Sequence, residues 1–120
     1  MSLPFAPAKG DHAKQALAAV ERDLLTPFGI RSLSWRDSAY QGRYEGPLPN
    51  MDACYHQGTV WPWLFGPYIS ALVKVKGSSG PEADVKARKE ARELLKLTFT
   101  WLRARNPFKV EGRSVYRIAG

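Results

Sequence analysis

Glycine and proline interrupt residues 26–58 so densely that no long helix or strand is expected there. Seven of them fall in this stretch, namely Pro27, Gly29, Gly42, Gly46, Pro47, Pro49 and Gly58. The composition nevertheless argues against disorder, because eight of the fourteen aromatic residues of the chain lie between residues 35 and 68. We therefore expect a long ordered loop over 26–58, lined by aromatic side chains.

Amphipathic patterns on both sides of this loop indicate an all-α fold. Three helices are predicted from apolar residues at helical spacing, over 11–25, 59–76 and 81–105. Asp11 and Thr59 are the expected N-caps of the first two, and Gly77 is the expected C-cap of the second. Gly66 and Pro67 fall inside the second predicted helix and favour a kink there.

The length and composition exclude several classes of protein. At 120 residues the chain makes one domain at most, and no apolar run approaches the ~20 residues that span a bilayer. Cys54 is the single cysteine, so neither an intrachain disulfide nor a cysteine-based zinc site is possible. A lone thiol fits a reducing compartment, and we expect neither a cofactor nor a metal.

The net charge of +7 suggests an anionic partner until its distribution is considered. From Lys96 to the end there are six basic residues and one acidic residue, a net of +5, whereas the aromatic window 35–68 sums to −1. Grooves that bind single-stranded nucleic acid interleave basic and aromatic side chains on one surface. Because the two are segregated here, the sequence favours no nucleic-acid partner.

Three motifs carry a family resemblance. They read LTPFGIRSL over 25–33, YQGRYEG over 40–46 and DACYHQGTVWPWL over 52–64. In this order and spacing they resemble the C-terminal glucosidase domain of glycogen debranching enzymes, the amylo-α-1,6-glucosidase module. The resemblance runs from about residue 3 to residue 101.

This resemblance implies a fold, a substrate and a location. The family fold is an (α/α)6 toroid with its active site at one end of the bore, so three helices would form a segment of the ring. The implied reaction is hydrolysis of the α-1,6-linked glucose at a trimmed branch, by two carboxylic residues acting as acid and base. The implied partner is glycogen or an α-glucan oligosaccharide, in the cytoplasm.

The chain departs from the family after the third helix. The family's general acid lies upstream of the matched region, and its general base lies in a Ser-Glu-Ile-Phe-Asp-Gly-like stretch shortly after that helix. Here Glu111-Gly112 matches that stretch poorly, inside a basic tail over 106–120 that suggests only a short strand near 114–118. We therefore expect no catalytic residue and no activity from the chain alone. The alternative is a non-catalytic helical module that binds carbohydrate or another partner.

The resemblance carries the substrate-binding assignments. The expected sugar contacts are Tyr40, Arg43, Tyr44, His56, Gln57 and Trp61. Arg43 has a structural alternative, an ion pair with Asp52 or Glu45, and Asp52 itself is interpreted as a structural acid near the site.

Trp61 and Trp63 are two residues apart, so on a helix they would not share a face. One is expected to face the core and the other the sugar. The resemblance implies that Trp61 is the sugar-facing residue, and indole can stack on the apolar face of a sugar. Core packing of both is the alternative.

Three helices taken from a ring would leave apolar lateral faces uncovered. We therefore expect self-association, or a second chain that completes the barrel.

Overall fold

The computed structural model describes residues 8–104 and, beyond them, the strands β4 and β5. The helices are α1 (Gly10–Asp23), α2 (Leu48–Cys54), α3 (Phe65–Lys76) and α4 (Pro81–Ala104). The strands are β1 (Leu25–Thr26), β2 (Gly29–Arg31), β3 (Val60–Trp61), β4 (Lys109–Val110) and β5 (Arg113–Ser114). One-turn 3₁₀ segments, Pro62–Leu64 and Gly77–Ser79, precede and follow α3. The described part is therefore mostly helical, as the sequence predicts.

The core lies where α1, α3 and α4 meet the central strand β2. Its buried members are Leu17, Ile30, Phe65, Tyr68, Leu72, Ala87 and Ala91. Leu72 is completely buried, and the alanines of α4 let that helix approach α3 closely. Ile30 is the contribution of the sheet to this core, so the sheet is anchored to the helices through β2.

A small antiparallel sheet with the order β1-β2-β3 joins two distant parts of the chain. Ile30 of β2 pairs with Leu25 on one side and with Trp61 on the other. Gly29 has φ of +151°, and a Cβ built there would lie 2.9 Å from the Pro62 nitrogen and the Trp61 carbonyl. Only glycine lets the start of β2 lie this close to the end of β3.

The turn between β1 and β2 rests on the second half of α4. The Thr98 hydroxyl donates to the Pro27 carbonyl at 3.0 Å, and the Phe28 and Trp101 rings lie 4.6 Å apart between centroids. α4 has 24 residues and α3 has 12, lengths of about 36 Å and 18 Å. The second half of α4 therefore extends past α3 and supports the hairpin.

A partly exposed polar network ties α1, α3 and α4 together. Lys76 on α3 lies 2.8 Å from a carboxylate oxygen of Glu21 on α1 and 2.8 Å from one of Glu90 on α4. The Tyr68 hydroxyl donates to the same Glu21 oxygen at 3.3 Å. Burial of the phenol, followed by the nearby Glu21 charge, raises the pKa of Tyr68 far above its ordinary range. Partial burial alone would lower the pKa of Lys76, but its hydrogen bonds to Glu21 and Glu90 outweigh burial and raise it.

The predicted helix over 59–76 is wrong at its N-terminal end. Val60 and Trp61 form β3 because they pair with β2, and Pro62 then opens the 3₁₀ turn. The helix begins at Phe65, so Pro67 falls in the first turn of α3, where its missing N–H breaks no intrahelical bond. The predicted kink is therefore absent, because Gly66 and Pro67 lie in the first turn of α3 and not in its interior.

Other boundary predictions have mixed outcomes. Gly77 caps α3 as predicted, whereas Lys9, and not Asp11, occupies the N-cap of α1. Thr59 caps no helix start; its hydroxyl donates to the Cys54 carbonyl at the end of α2, at 3.0 Å. The predicted loop over 26–58 contains most of β1–β2 and the whole of α2.

The tail is only partly covered by the structure. Lys109 pairs with Ser114 and Val110 with Arg113, so the short strand expected near 114–118 overlaps the described strands only at Ser114. Glu111 and residues 115–118 lie outside the described residues.

Within the described residues, no helix combines the length and apolar character that a membrane crossing requires.

Candidate functional site

Three aromatic rings form a cluster at the surface of the predicted loop. The centroid of Tyr55 lies 4.5 Å from Trp61 and 5.9 Å from Tyr44, and Tyr44 lies 5.9 Å from Trp61. The His56 ring extends the group, with its centroid 4.8 Å from Tyr55. Tyr44 and Tyr55 are each 39% exposed, and Trp61 is half-buried. We call Tyr44, Tyr55 and Trp61 the aromatic cluster.

The backbone holds this cluster in a defined arrangement. Tyr55 follows the last residue of α2, and Trp61 is fixed in β3 by pairing with Ile30. The indole nitrogen of Trp61 donates to the Tyr55 carbonyl at 3.3 Å. Since this N–H is the single polar group of indole, Trp61 presents only its ring surface to other contacts.

The turn over 55–59 between α2 and β3 is pinned by Ser32, which follows β2. The Ser32 hydroxyl accepts from the Gly58 N–H at 3.0 Å, and the Ser32 N–H donates to the Thr59 carbonyl at 3.0 Å. Gly58 has φ of +123°, a conformation that favours glycine, so the backbone role expected of Gly58 is observed.

Tyr40 and its neighbour Gln41 pack against this same turn, at Gly58 and Gln57. The Tyr40 ring lies directly against Gly58, where any Cβ would collide with it. The Gln41 N–H donates to the Gln57 carbonyl, and the two side-chain amides are 3.1 Å apart. Tyr40 is therefore a half-buried packing residue, whereas the Gln57 amide oxygen accepts from the Gln41 side chain.

Arg43 and Asp52 stand apart from these contacts. The Arg43 guanidinium lies 3.2 Å from Glu45, and both side chains are exposed, so of the two alternative ion pairs the structure contains the one with Glu45. Asp52 is exposed on α2. Because both of its side chains are exposed, the ion pair between Arg43 and Glu45 contributes little to stability.

The expectation that one tryptophan would face the core is wrong. Trp61 is half-buried within the aromatic cluster, and Trp63 is 67% exposed in the 3₁₀ turn before α3. Core packing of both indoles is wrong for the same reason. The core position belongs to Phe65, which begins α3.

Two residues that sequence reasoning did not select are prominent in the structure. Tyr55 is the centre of the aromatic cluster, and its place beside His56 in an aromatic-rich motif was the available signal. Arg31 has a buried Nε with no hydrogen-bond partner among residues 8–104, and nothing in the sequence pattern announces this.

The electrostatic character of the site is close to neutral. Residues 53–73 contain no Asp, Glu, Lys or Arg, so the segment that supplies Tyr55, His56, Trp61 and Trp63 carries no fixed charge. Asp23, just before β1, accepts a hydrogen bond from Arg22, and this bond is the chief cause that lowers the pKa of its carboxyl group. Residues 8–104 hold no group of three or more His, Cys, Asp or Glu side chains placed to bind a metal ion.

Comparison with known proteins identifies the family. The family model described as Amylo-alpha-1,6-glucosidase matches residues 1–110. The chain therefore belongs to the amylo-α-1,6-glucosidase family, and the resemblance found in its three motifs is confirmed.

One relative is the glycogen debranching enzyme of Saccharomyces cerevisiae. It is 26% identical over 91 residues, which cover 71% of this chain and 6% of the yeast protein. The chain thus spans a small fraction of the length of that relative. No solved structure matches the chain.

Proposed function

We propose that the chain binds α-glucan at the aromatic cluster, as the sugar-holding part of an amylo-α-1,6-glucosidase site in glycogen debranching. The observation that carries this proposal is the mutual packing of Tyr44, Tyr55 and Trp61 in a partly exposed group. Carbon-bound hydrogens of a glucose ring stack on such ring faces, and the neutral surroundings suit an uncharged ligand. The yeast relative, a glycogen debranching enzyme, supports the choice of glucan.

Stacking on aromatic rings does not fix the orientation of a sugar, and in this proposal polar groups near the aromatic cluster fix it through hydrogen bonds. His56 presents two ring nitrogens and Gln57 an amide, so together they offer donors and acceptors to sugar hydroxyls. In this proposal Tyr44, His56, Gln57 and Trp61 contact the glucan, while Tyr40 orients the loop. Arg43 reaches hydroxyls from an exposed position beside Tyr44.

The proposal assigns no catalytic residue to this chain. Hydrolysis of a glycosidic bond needs two carboxyl groups on either side of it, one protonating the leaving oxygen and one activating water or attacking. Asp52 and Glu45 are the carboxylates nearest in sequence to the aromatic cluster; Glu45 is paired with Arg43, and Asp52 is assigned a structural role. The chain corresponds to a segment of the family toroid over 1–105, followed by a tail, and the reaction requires groups that other parts of the ring supply.

Binding is tested by titrating the chain with maltooligosaccharides in a calorimeter. We expect saturable binding that Trp61→Ala and Tyr44→Ala each weaken at least tenfold, since each removes a stacking face. Trp35→Ala is the matched control, because Trp35 is an exposed indole that packs against Arg36 and lies outside the cluster. Loss of a ring without loss of affinity would remove the proposal.

Activity is tested by glucose release from a branched limit dextrin. We expect none from the chain alone. Turnover that disappears in Asp52→Asn or Glu111→Gln would overturn the assignment of a purely binding role. The alternative function is a non-catalytic carbohydrate-binding module. It predicts the same binding in the titration, and it differs from the first proposal only because the chain would then not be part of a complete catalytic toroid.

We further propose that the chain self-associates through the second half of α4. Leu97 and Phe99 are 60% and 56% exposed, and Leu102 is also exposed. These three apolar side chains lie on the part of α4 that extends past α3. Leu97 and Phe99 flank the buried Thr98 on its two sides, and Leu102 lies on the side of Phe99. A second copy of the chain offers the same side chains in return.

A further inference from the structure

Trp63 is an exposed indole on a rigid support. The residue before it, Pro62, is packed against Gly29, and Phe65, two residues after it, is 97% buried in the core, its exposed fraction being 3%. Two residues along a helical turn rotate by roughly 200–240°, so an inward Phe65 places Trp63 on the outer side. The fold therefore holds a large apolar ring in water at a fixed position.

A row of exposed residues extends from this indole along the outer face of α3. Gly66, Pro67 and Ser70 follow Trp63 at helical spacings of three, four and seven, and all four residues are exposed. A Cβ built at Gly66 would meet nothing within 4 Å. The Ser70 hydroxyl is turned back onto its own helix, donating to the Gly66 carbonyl at 3.1 Å. We call these four residues the Trp63 shelf.

The chemistry of the Trp63 shelf matches a neutral sugar ring. It offers one indole face beside small side chains, and no charged residue lies between 53 and 73; Lys74, four positions after Ser70, is the first charged residue further along this face. The Cα of Trp63 is no more than about 7 Å from that of Trp61, the span of two extended residues.

We propose that the Trp63 shelf is a second glucan-binding platform that sets a preference for longer oligosaccharides. The inference rests on the proposed glucan binding at the aromatic cluster. One sugar residue occupies the aromatic cluster, and a neighbouring residue of the same oligosaccharide stacks on Trp63. Glucose fills the first position alone and gains nothing from the shelf.

The experiment compares glucose with maltotetraose by calorimetric titration of the full chain. Trp63→Ala is expected to weaken maltotetraose binding about three- to tenfold, and glucose binding by less than twofold. Trp63→Phe keeps a ring and retains most of the maltotetraose affinity. Gly66→Leu leaves the indole in place and fills the open space at Gly66, so it is expected to reproduce the selective loss without removing a folded contact. Trp35→Ala is the control and changes neither affinity.

Each outcome separates this inference from the function on which it rests. If Trp61→Ala abolishes binding while Trp63→Ala and Gly66→Leu leave maltotetraose affinity unchanged, the shelf is not a glucan platform and the proposed function stands. If Trp63→Ala instead shifts the sedimentation coefficient toward that of a monomer and spares the titration, a second copy of the chain covers the indole and the inference is wrong. If the wild-type chain binds no oligosaccharide, the proposed function itself fails.

Discussion

Two glycines show how single residues shape the candidate site. Gly29 lets the β1–β2 hairpin lie against the Trp61-Pro62 backbone, and Gly58 gives the turn that carries Tyr55 and His56 its left-handed geometry. At both positions a side chain would meet neighbouring atoms as well as an unfavourable φ. The arrangement of the aromatic cluster therefore depends on residues that have no side chain of their own.

Gly58→Ala is expected to lower the free energy of unfolding by about 1–3 kcal/mol, because alanine is strained at this φ. It also displaces the Tyr40 ring, so oligosaccharide binding should weaken in the same variant. Urea denaturation followed by far-ultraviolet circular dichroism measures the first effect, and calorimetric titration the second. Gly66→Ala is the control: its φ is not positive and the space around it is open, so stability should stay within about 1 kcal/mol of wild type, on the stabilising side. Equal stabilities for the two variants would contradict this account.

At the scale of elements, α1 and α4 were predictable because each has a sustained apolar stripe that local spacing reveals. The N-terminal part of the predicted second helix was not, since Val60 and Trp61 are apolar residues whose partners on β2 lie about 30 residues earlier. No local pattern distinguishes a short half-buried strand from the first turn of a helix. The same long-range pairing determines the geometry of the candidate site. His56, Gln57 and Trp61 were predicted from the motif. The central position of Tyr55 and the exposure of Trp63 were not, because they depend on how the motif packs against the β1–β2 hairpin.

Tyr68 and Lys76, at the contact between α1, α3 and α4, are expected to make the free energy of unfolding fall at alkaline pH. Tyr68 and Lys76 both have raised pKa values in the folded chain, so the unfolded chain loses these protons first as the pH rises. Their contribution is present below the ordinary values near pH 10 and is lost as the pH rises through the folded values. We expect the free energy of unfolding to be constant from pH 7 to about pH 9 and to fall above about pH 10.

Urea titrations at pH 8, 10 and 11 measure this dependence. Tyr68→Phe is expected to cost about 1 kcal/mol at pH 8, where a hydrogen bond to Glu21 is lost, and to give a shallower fall above pH 10. Superimposable curves for Tyr68→Phe and the wild type would show that the phenol does not contribute.

Across the molecule, apolar surface is distributed unevenly. The first half of α4 packs against α3, and the second half supports the hairpin with Thr98 and Trp101 while exposing Leu97 and Phe99. Leu97 and Phe99 lie on either side of the buried Thr98, so apolar surface remains exposed on both flanks of this part of α4. This imbalance is a property of the assembled helices and not of any one residue, and it motivates the proposed self-association.

Sedimentation velocity over a range of concentrations tests that proposal. The weight-average sedimentation coefficient should rise with concentration for the wild type and stay near the monomer value for a Leu97→Ser, Phe99→Ser double variant. Leu48→Ser, at an exposed leucine on α2, is the control and should associate like the wild type. A wild-type chain that remains a clean monomer at high concentration would count against self-association, and association unchanged in the double variant would count against the second half of α4 as its site.

The bond from Thr98 to the Pro27 carbonyl also has a consequence for how the chain folds. It joins residues separated by 71 positions, so the loop between them must close before the hairpin gains support from α4. Contacts of such long range form slowly compared with the helices themselves. During synthesis the three strands, which end at Trp61, can pair before α4 exists, but the turn at Pro27 gains its bond to Thr98 only after residue 98 has left the ribosome. The hairpin beside the proposed sugar site therefore reaches its final stability only when α4 has formed.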